Sequence, residues 1–170
     1  MKKSIVFRIL NLIPEKTAFA HCDIPCGIYD PYVAQRAAHT VIRMTQLLTD
    51  LKLENPSASS GQAETKAEHD VARLTHVKEE HSSLLEEELD TLRNDYFKEE
   101  HFKQYPNLHD LFVKTLKLSA KARQEIDMQS ANETLSGVQE IAEIFFKTKG
   151  VESVRVKSVY PTGGEIVLHK

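Results

Sequence analysis

The chain has 170 residues, enough for one domain with a buried core. Its apolar fraction of 41% and charged fraction of 28% are ordinary for a globular protein. No apolar run reaches the roughly 20 residues of a membrane-spanning helix, and a net charge of −3 argues against nucleic acid as a partner.

Residues 1–20 carry four basic residues and one acidic residue, so they contribute +3 and leave −6 for the rest of the chain. Their apolar run is broken at Arg8, before it reaches the length of a secretory h-region. The segment ends in Ala-Phe-Ala at residues 18–20, a small-x-small sequence of the kind that processing peptidases cut. Two hypotheses follow: residues 1–20 are a pro-segment removed on maturation, or a weak secretory signal.

Residues 21–26, which we call the hook, contain both cysteines of the chain. His21, Cys22 and Cys26 could reach one metal ion without help from another segment. Their Cys-x-x-x-Cys spacing is not that of a zinc knuckle, and no second Cys or His pair follows. Cleavage after residue 20 would free the His21 α-amine, so that this amine, the Cys22 amide and two thiolates form a planar set. Such a set favours Ni(II) or Cu(II) over tetrahedral zinc.

Four amphipathic helices are predicted after the hook. Asp30 and Pro31 are typical of a helix start, with Asp as the N-cap and Pro in the first helical position. Apolar residues then recur at helical spacing in four segments, with an interruption in the aromatic and proline block at 96–106. Asn107 can cap the third helix, which is predicted through Ile126. The expected fold is therefore all-α, an antiparallel four-helix bundle with an N-terminal metal hook.

Residues 150–170 change in character after Gly150, which ends the fourth predicted helix. Two valine-containing segments flank Pro-Thr-Gly-Gly at 161–164 and predict a short β-hairpin-like tail. An isolated two-stranded hairpin is marginal unless it docks. We therefore expect a hook-plus-bundle domain at 21–149 and a separate C-terminal extension.

The sequence His-Cys-Asp-Ile-Pro-Cys-Gly-Ile-Tyr-Asp-Pro at residues 21–31 resembles the nickel hook of nickel-dependent superoxide dismutase. The similarity resumes at Asp95-Tyr96-Phe97-Lys98, His101-Phe102, Tyr105-Pro106 and Leu108-His109. The resemblance implies conversion of superoxide to O2 and hydrogen peroxide by Ni(II)/Ni(III) cycling, with one nickel ion per subunit. It also implies that a maturation peptidase removes residues 1–20 and that the subunits form a homohexamer. We expect a cytoplasmic protein without membrane or nucleic-acid partners.

The resemblance also implies roles for individual residues. The metal ligands, which are also catalytic, would be His21, Cys22 and Cys26. Tyr29 would be the further catalytic residue, gating anion access beside the open axial face. Asp23 would shape the hook through main-chain and carboxylate contacts, Pro25 resembles a cis proline that turns the chain back, and Gly27 would remove side-chain bulk.

The sequence departs from the family at two positions that concern the axial His21 imidazole. A Glu that the family has early in the first helix falls at Ala37. His81 stands near the position of an Arg that orients this imidazole from a neighbouring subunit. His39 and His81 are candidates for the missing function, and an ordinary core histidine is an equally good interpretation of His81.

Two other functions use the same cysteines. A non-catalytic nickel or copper carrier would bind metal without turnover. A redox-switch protein would instead form a disulfide between Cys22 and Cys26, which their spacing allows. Nickel loading together with superoxide consumption distinguishes the three hypotheses.

Overall fold

The computed structural model describes residues 27–54 and 61–170 of the chain. The elements are α1 (Tyr32–Glu54), α2 (Gly61–Thr91), a π-helical turn (Leu92–Tyr96), α3 (Glu99–Gln104), α4 (Leu108–Gln124), α5 (Met128–Thr148), β1 (Ser153–Lys157) and β2 (Glu165–His169). This order confirms the prediction of a helical fold with a C-terminal hairpin. None of the described helices is long and apolar enough to cross a membrane. The predicted segment 1–20 and the hook lie outside the described residues.

The first helix starts where the sequence predicts. The Asp30 side chain accepts a hydrogen bond from the Tyr32 amide at 2.5 Å, and the Pro31 carbonyl accepts one from the Gln35 amide at 3.3 Å. The regular helix begins one residue after the proline, within the usual uncertainty of a helix boundary. The chain therefore leaves the hook through a capped and geometrically defined helix start.

The four long helices surround one core. Helix α1 packs against α2 and α5, and α4 packs against the same two helices. Residues 44–51 of α1 and 70–77 of α2 line one groove, and because only six residues connect these two helices, they run antiparallel. The fully buried large apolar side chains of the core are Leu85, Leu89, Leu92, Leu108, Phe112, Val138, Ile141 and Val167. The start of α1 and the end of α5 meet at one end of this bundle.

The structure adds one element to the predicted helices and changes two of their details. The interrupting block at 96–106 contains the short helix α3, and the third predicted helix ends at Gln124 rather than at Ile126. Lys78, which is 2% exposed, donates to the carbonyls of Ala122 and Glu125 at 3.0 and 2.6 Å. A buried ammonium thus satisfies the last carbonyls of α4 and fixes where the helix stops. Asn107 occupies the N-cap position of α4 but makes no side-chain capping bond.

Helices α4 and α5 approach closely at Gly137. A Cβ atom at this position would overlap the hydroxyl of Thr115, which is buried and bonded to the Leu111 carbonyl. A glycine is therefore required here for space and not for backbone conformation.

The C-terminal hairpin docks on the bundle. Strands β1 and β2 pair antiparallel, with Arg155 opposite Val167. Val167 is fully buried and joins the core, and Ile166 is 8% exposed. Docking supplies the burial that an isolated hairpin lacks.

Candidate functional site

The chain enters the bundle through residues 27–30. Gly27 has a φ of +88°, a left-handed conformation that favours glycine. Within the described residues, no atom lies within 4 Å of the position that a Cβ would take at Gly27. Among the described residues, the requirement for glycine here is a backbone turn.

Tyr29 packs into the end of the bundle immediately after this turn. It is half-buried, its hydroxyl oxygen is buried, and its ring packs against the core. The ring centroid of Tyr29 lies 5.6 Å from that of Tyr96, at an interplanar angle of 55°. This geometry is typical of a favourable aromatic pair. The phenol nearest the hook is therefore held by contacts with the bundle rather than left on the surface.

Tyr96 is positioned by the π-helical turn that ends α2. Wider turns of this type are rare and often occur at functional sites. The Tyr96 hydroxyl lies 2.7 Å from Thr148 Oγ1, and the Thr148 hydroxyl donates to the Phe145 carbonyl. Burial raises the pKa of Tyr96, while its hydrogen bond to Thr148 acts in the opposite direction. The net upward shift makes Tyr96, which is already protonated at neutral pH, still harder to ionise.

A cation and an imidazole flank Tyr96. Lys149 Nζ lies 4.8 Å from the centroid of the Tyr96 ring, a cation–π distance. On the same ring, His101 stacks at 5.7 Å with an interplanar angle of 11°. His101 Nδ1 accepts a hydrogen bond from the Lys98 amide, which leaves the proton of a neutral ring on Nε2. The end of the bundle thus carries a positive charge beside the tyrosine pair.

Acidic groups lie near the hook's exit, by which we mean residues 27–31. Burial raises the pKa of the Glu88 carboxyl, and the charges of Glu87 and Asp30 raise it further. Asp30 and Glu88 therefore lie close enough to interact. The segment that leads from the hook into α1 therefore carries acidic groups, whereas Lys149 supplies a cation beside Tyr96.

The predicted ligands and hook-shaping residues lie outside the described residues: His21, Cys22, Asp23, Pro25 and Cys26.

The two candidate histidines are described. His81 is half-buried on α2, and its Nδ1 lies 3.0 Å from the Val77 carbonyl. Because a carbonyl only accepts, Nδ1 carries the proton and Nε2 is left as the acceptor. His81 therefore retains one nitrogen that could bind a donor.

His39 is committed elsewhere. It is 3% exposed, and its ring nitrogens lie 2.8 Å from Thr162 Oγ1 and 3.2 Å from the Glu165 carbonyl. Both partners belong to the hairpin segment, so His39 is a satisfied core histidine and not a free partner for His21. Ala37 is fully buried in the apolar core.

The hook fits nickel by the chemistry of its donors. An α-amine, an amide nitrogen, two thiolates and an imidazole suit a metal with a square-planar preference and an axial site. In the part of the chain that the structure describes, no group of three or more His, Cys, Asp or Glu could hold a metal ion. The bundle therefore presents no competing cluster among its described residues.

Sequence reasoning missed two residues of this site. Tyr96 stands within the recognised block at 96–106 but has no predicted role, and no sequence pattern singles out Lys149. The aromatic density of the 96–106 block was the available signal for Tyr96. Nothing in the local sequence could place Lys149 beside it, because that contact joins the end of α5 to the end of α2.

A helical bundle with a redox-capable donor set in its N-terminal sequence, and with a half-buried tyrosine pair where the chain enters the bundle, defines a metal-dependent oxidoreductase. A family model described as nickel-containing superoxide dismutase matches residues 16–149, and the chain belongs to this family. This confirms the resemblance on which the sequence interpretation was based.

The relatives agree with this assignment. The chain is 33% identical over 136 residues to the nickel superoxide dismutase of Streptomyces coelicolor, covering 80% of this chain and 93% of the relative. It is 32% identical over 136 residues to that of Streptomyces seoulensis, with the same coverage. A native nickel superoxide dismutase structure superposes with a TM-score of 0.63 at 32% identity, covering 76% of this chain and 99% of that chain. The family match ends before the hairpin.

Proposed function

We propose that the chain is a nickel-dependent superoxide dismutase. The reaction converts two superoxide anions and two protons to O2 and hydrogen peroxide. The observation that carries this proposal is the family match, whose span at 16–149 contains the whole hook together with Tyr29 and Tyr96. A carrier without turnover would not require the tyrosine pair at the hook's exit.

The proposed ligands are His21 through its α-amine and imidazole, Cys22 through its amide and thiolate, and Cys26 through its thiolate. One nickel ion per subunit would supply the Ni(II)/Ni(III) couple that accepts an electron from one superoxide and returns it to the next. Asp23 and Pro25 would fix the path of the chain between the two cysteines. The two thiolates lower the potential of the couple into a range that imidazole and water alone would not reach.

The tyrosine pair would control what reaches the hook. Tyr29 is held by Tyr96 at 5.6 Å, and Tyr96 is anchored by Thr148 at 2.7 Å. Two rings fixed in this way narrow the approach and can place a phenol next to a small anion. Restricted access also protects the thiolates, which the peroxide product would otherwise oxidise.

Removal of residues 1–20 by a peptidase would be obligatory, because the His21 nitrogen cannot act as an amine while it is part of a peptide bond. We further propose a cytoplasmic homohexamer, as the family resemblance suggests. In such an assembly, His81 would offer Nε2 to the His21 imidazole of a neighbouring subunit. Its Nδ1 bond to Val77 fixes the tautomer that such a contact needs.

The test compares three proteins: the 1–170 chain, the 21–170 chain, and the 21–170 chain with Cys22→Ser. Bound nickel per subunit and superoxide consumption are measured on each. The 21–170 chain should bind one nickel and consume superoxide, while the other two should do neither at stoichiometric metal. Nickel binding without turnover by the 21–170 chain would favour the carrier instead. Full activity of an intact 1–170 chain, verified by mass, would refute ligation through the His21 amine.

A further inference from the structure

The C-terminal hairpin is attached to the helix that follows the hook. It lies beyond the family match, which ends at residue 149. Among the described residues, the hydrogen bonds between the hairpin segment and α1 come from one stripe of the first two turns, formed by Tyr32, Gln35 and His39. These residues are spaced by three and four positions, so they share one face of the helix.

Gln35 makes the central contact. Its side chain is fully buried; Nε2 donates to the Val167 carbonyl at 2.9 Å and Oε1 accepts from the Val167 amide at 2.7 Å. An amide side chain presents one donor and one acceptor side by side, as a neighbouring strand would. Gln35 therefore completes the outer edge of β2 and ties it to α1.

Two further residues extend this attachment along α1. The buried His39 bonds to Thr162 and to the Glu165 carbonyl at 2.8 and 3.2 Å. At the first helical residue, the Tyr32 hydroxyl lies 3.0 Å from that of Tyr160. The hairpin thus holds α1 from its first residue through its second turn.

A separate contact ties the hairpin to α5. Gln139 is 6% exposed, and its Nε2 donates to the Glu165 carbonyl at 2.6 Å. Its Oε1 accepts from the Arg155 guanidinium at 3.0 Å. A second buried glutamine therefore binds the same strand, but from a helix that does not lead into the hook.

We propose that the C-terminal hairpin is a positioning element for the metal hook, acting through Gln35, His39 and Tyr32 on the first two turns of α1. Residues 27–31 are all that separate the hook from this clamped stretch. Holding α1 in place fixes the point from which the hook departs, so less ordering is left for the metal to impose. This inference rests on the proposed function, because it assumes that the hook binds nickel.

The test uses the matched glutamines in the 21–170 protein. Gln35→Met should raise the dissociation constant for nickel by about 10-fold, the lower end of the range for losing a supporting contact of a metal ligand. In the metal-free protein it should also accelerate amide hydrogen exchange in the first two turns of α1. Gln139→Met should lower the thermal midpoint but leave the dissociation constant for nickel and the amide exchange at the start of α1 at wild-type values. Tyr32→Phe, at a position 38% exposed, removes the hydroxyl contact with Tyr160 and retains the buried contacts. It should change nickel affinity and hydrogen exchange in the same direction as Gln35→Met.

The outcomes separate a positioning role from a stabilising one. Equal nickel affinities for Gln35→Met and Gln139→Met, or unchanged exchange at the start of α1, would overturn the proposal. If Gln35→Met does not fold, wild-type exchange and affinity in Tyr32→Phe would overturn it. Failure of the wild-type protein to bind nickel would refute the proposed function, whereas the exchange measurement would still decide whether the hairpin clamps α1.

Discussion

Lys149 should steer superoxide towards the hook. Its Nζ lies 4.8 Å from the Tyr96 centroid, which lies 5.6 Å from that of Tyr29, so the charge is within about 10 Å of Tyr29. At that separation two unit charges interact by about 0.4 kcal/mol in bulk water and about 1.7 kcal/mol at an effective dielectric constant of 20. At 0.01 M salt, modest screening reduces these values to about 0.3 and 1.2 kcal/mol. Lys149→Gln should therefore lower kcat/KM about two- to sevenfold.

The assay is superoxide consumption per bound nickel, measured by pulse radiolysis at several salt concentrations. The loss should disappear at about 0.5 M salt, where the Debye length is only about 4 Å. Lys66→Gln is the matched control, because Lys66 lies 30 residues before Tyr96, about 45 Å along α2 at 1.5 Å per residue. This control should retain wild-type kcat/KM at every salt concentration.

The result that would refute this reasoning is an equal loss for Lys149→Gln at low and high salt. A salt-independent loss would mean that Lys149 acts through packing against Tyr96 rather than through its charge. The carboxylates of Asp30 and Glu88 would repel superoxide, so they work against the attraction that Lys149 provides. A wild-type rate that rises with added salt would show that these acidic groups dominate the field.

Three further predictions concern packing, pH and the axial ligand. Gly137→Ala should lower the free energy of unfolding in urea by about 1–3 kcal/mol, and adding Thr115→Ala should restore most of it, because the added Cβ overlaps the Thr115 hydroxyl. Burial lowers the pKa of His39 below its ordinary value of 6.5, and its bond to the Glu165 carbonyl only partly opposes this. As the pH falls, the unfolded chain therefore binds a proton at His39 before the folded chain does. The stability that neutral His39 contributes is complete above about pH 6.5 and is lost as the pH falls through the lowered pKa of the folded state. His39→Gln should flatten the fall in the free energy of unfolding below neutral pH, whereas the same change at exposed His76 should not. His81→Ala should slow turnover per bound nickel about 10- to 100-fold if it orients the axial imidazole, and an unchanged turnover with a lower thermal midpoint would make it an ordinary core histidine.

The elements that sequence predicted well are those with local causes. Asp30 and Pro31 set the start of α1 because capping and a fixed proline φ act within three residues. The apolar stripes recur at the helical period, which depends on each helix alone. The donors of the hook also lie within six consecutive residues, and their ligation of a metal stays a prediction. These features needed no knowledge of how the helices pack.

The elements that sequence did not predict depend on contacts between distant segments. Lys78 ends α4 from the middle of α2, so Ile126 could not be excluded from that helix by its own periodicity. The π-helical turn at Leu92–Tyr96 has no propensity signal, yet it carries Tyr96 to Tyr29. Among the described residues, the Tyr96 ring contacts Tyr29, Phe145 and Lys149 from distant parts of the chain, and local sequence cannot report these contacts.

The hairpin shows how a polar residue in an apolar stripe can carry the more informative signal. Gln35 and His39 interrupt the alanine-rich stripe of α1, and a helix-only interpretation treats them as boundary residues. Buried polar groups require partners, so two of them on one face predict that something with donors and acceptors covers that face. A strand edge satisfies this requirement, because its amide and carbonyl groups point sideways. The sequence thus contained evidence for a docked β2 in the residues of α1, and the structure identifies Val167 as the partner of Gln35.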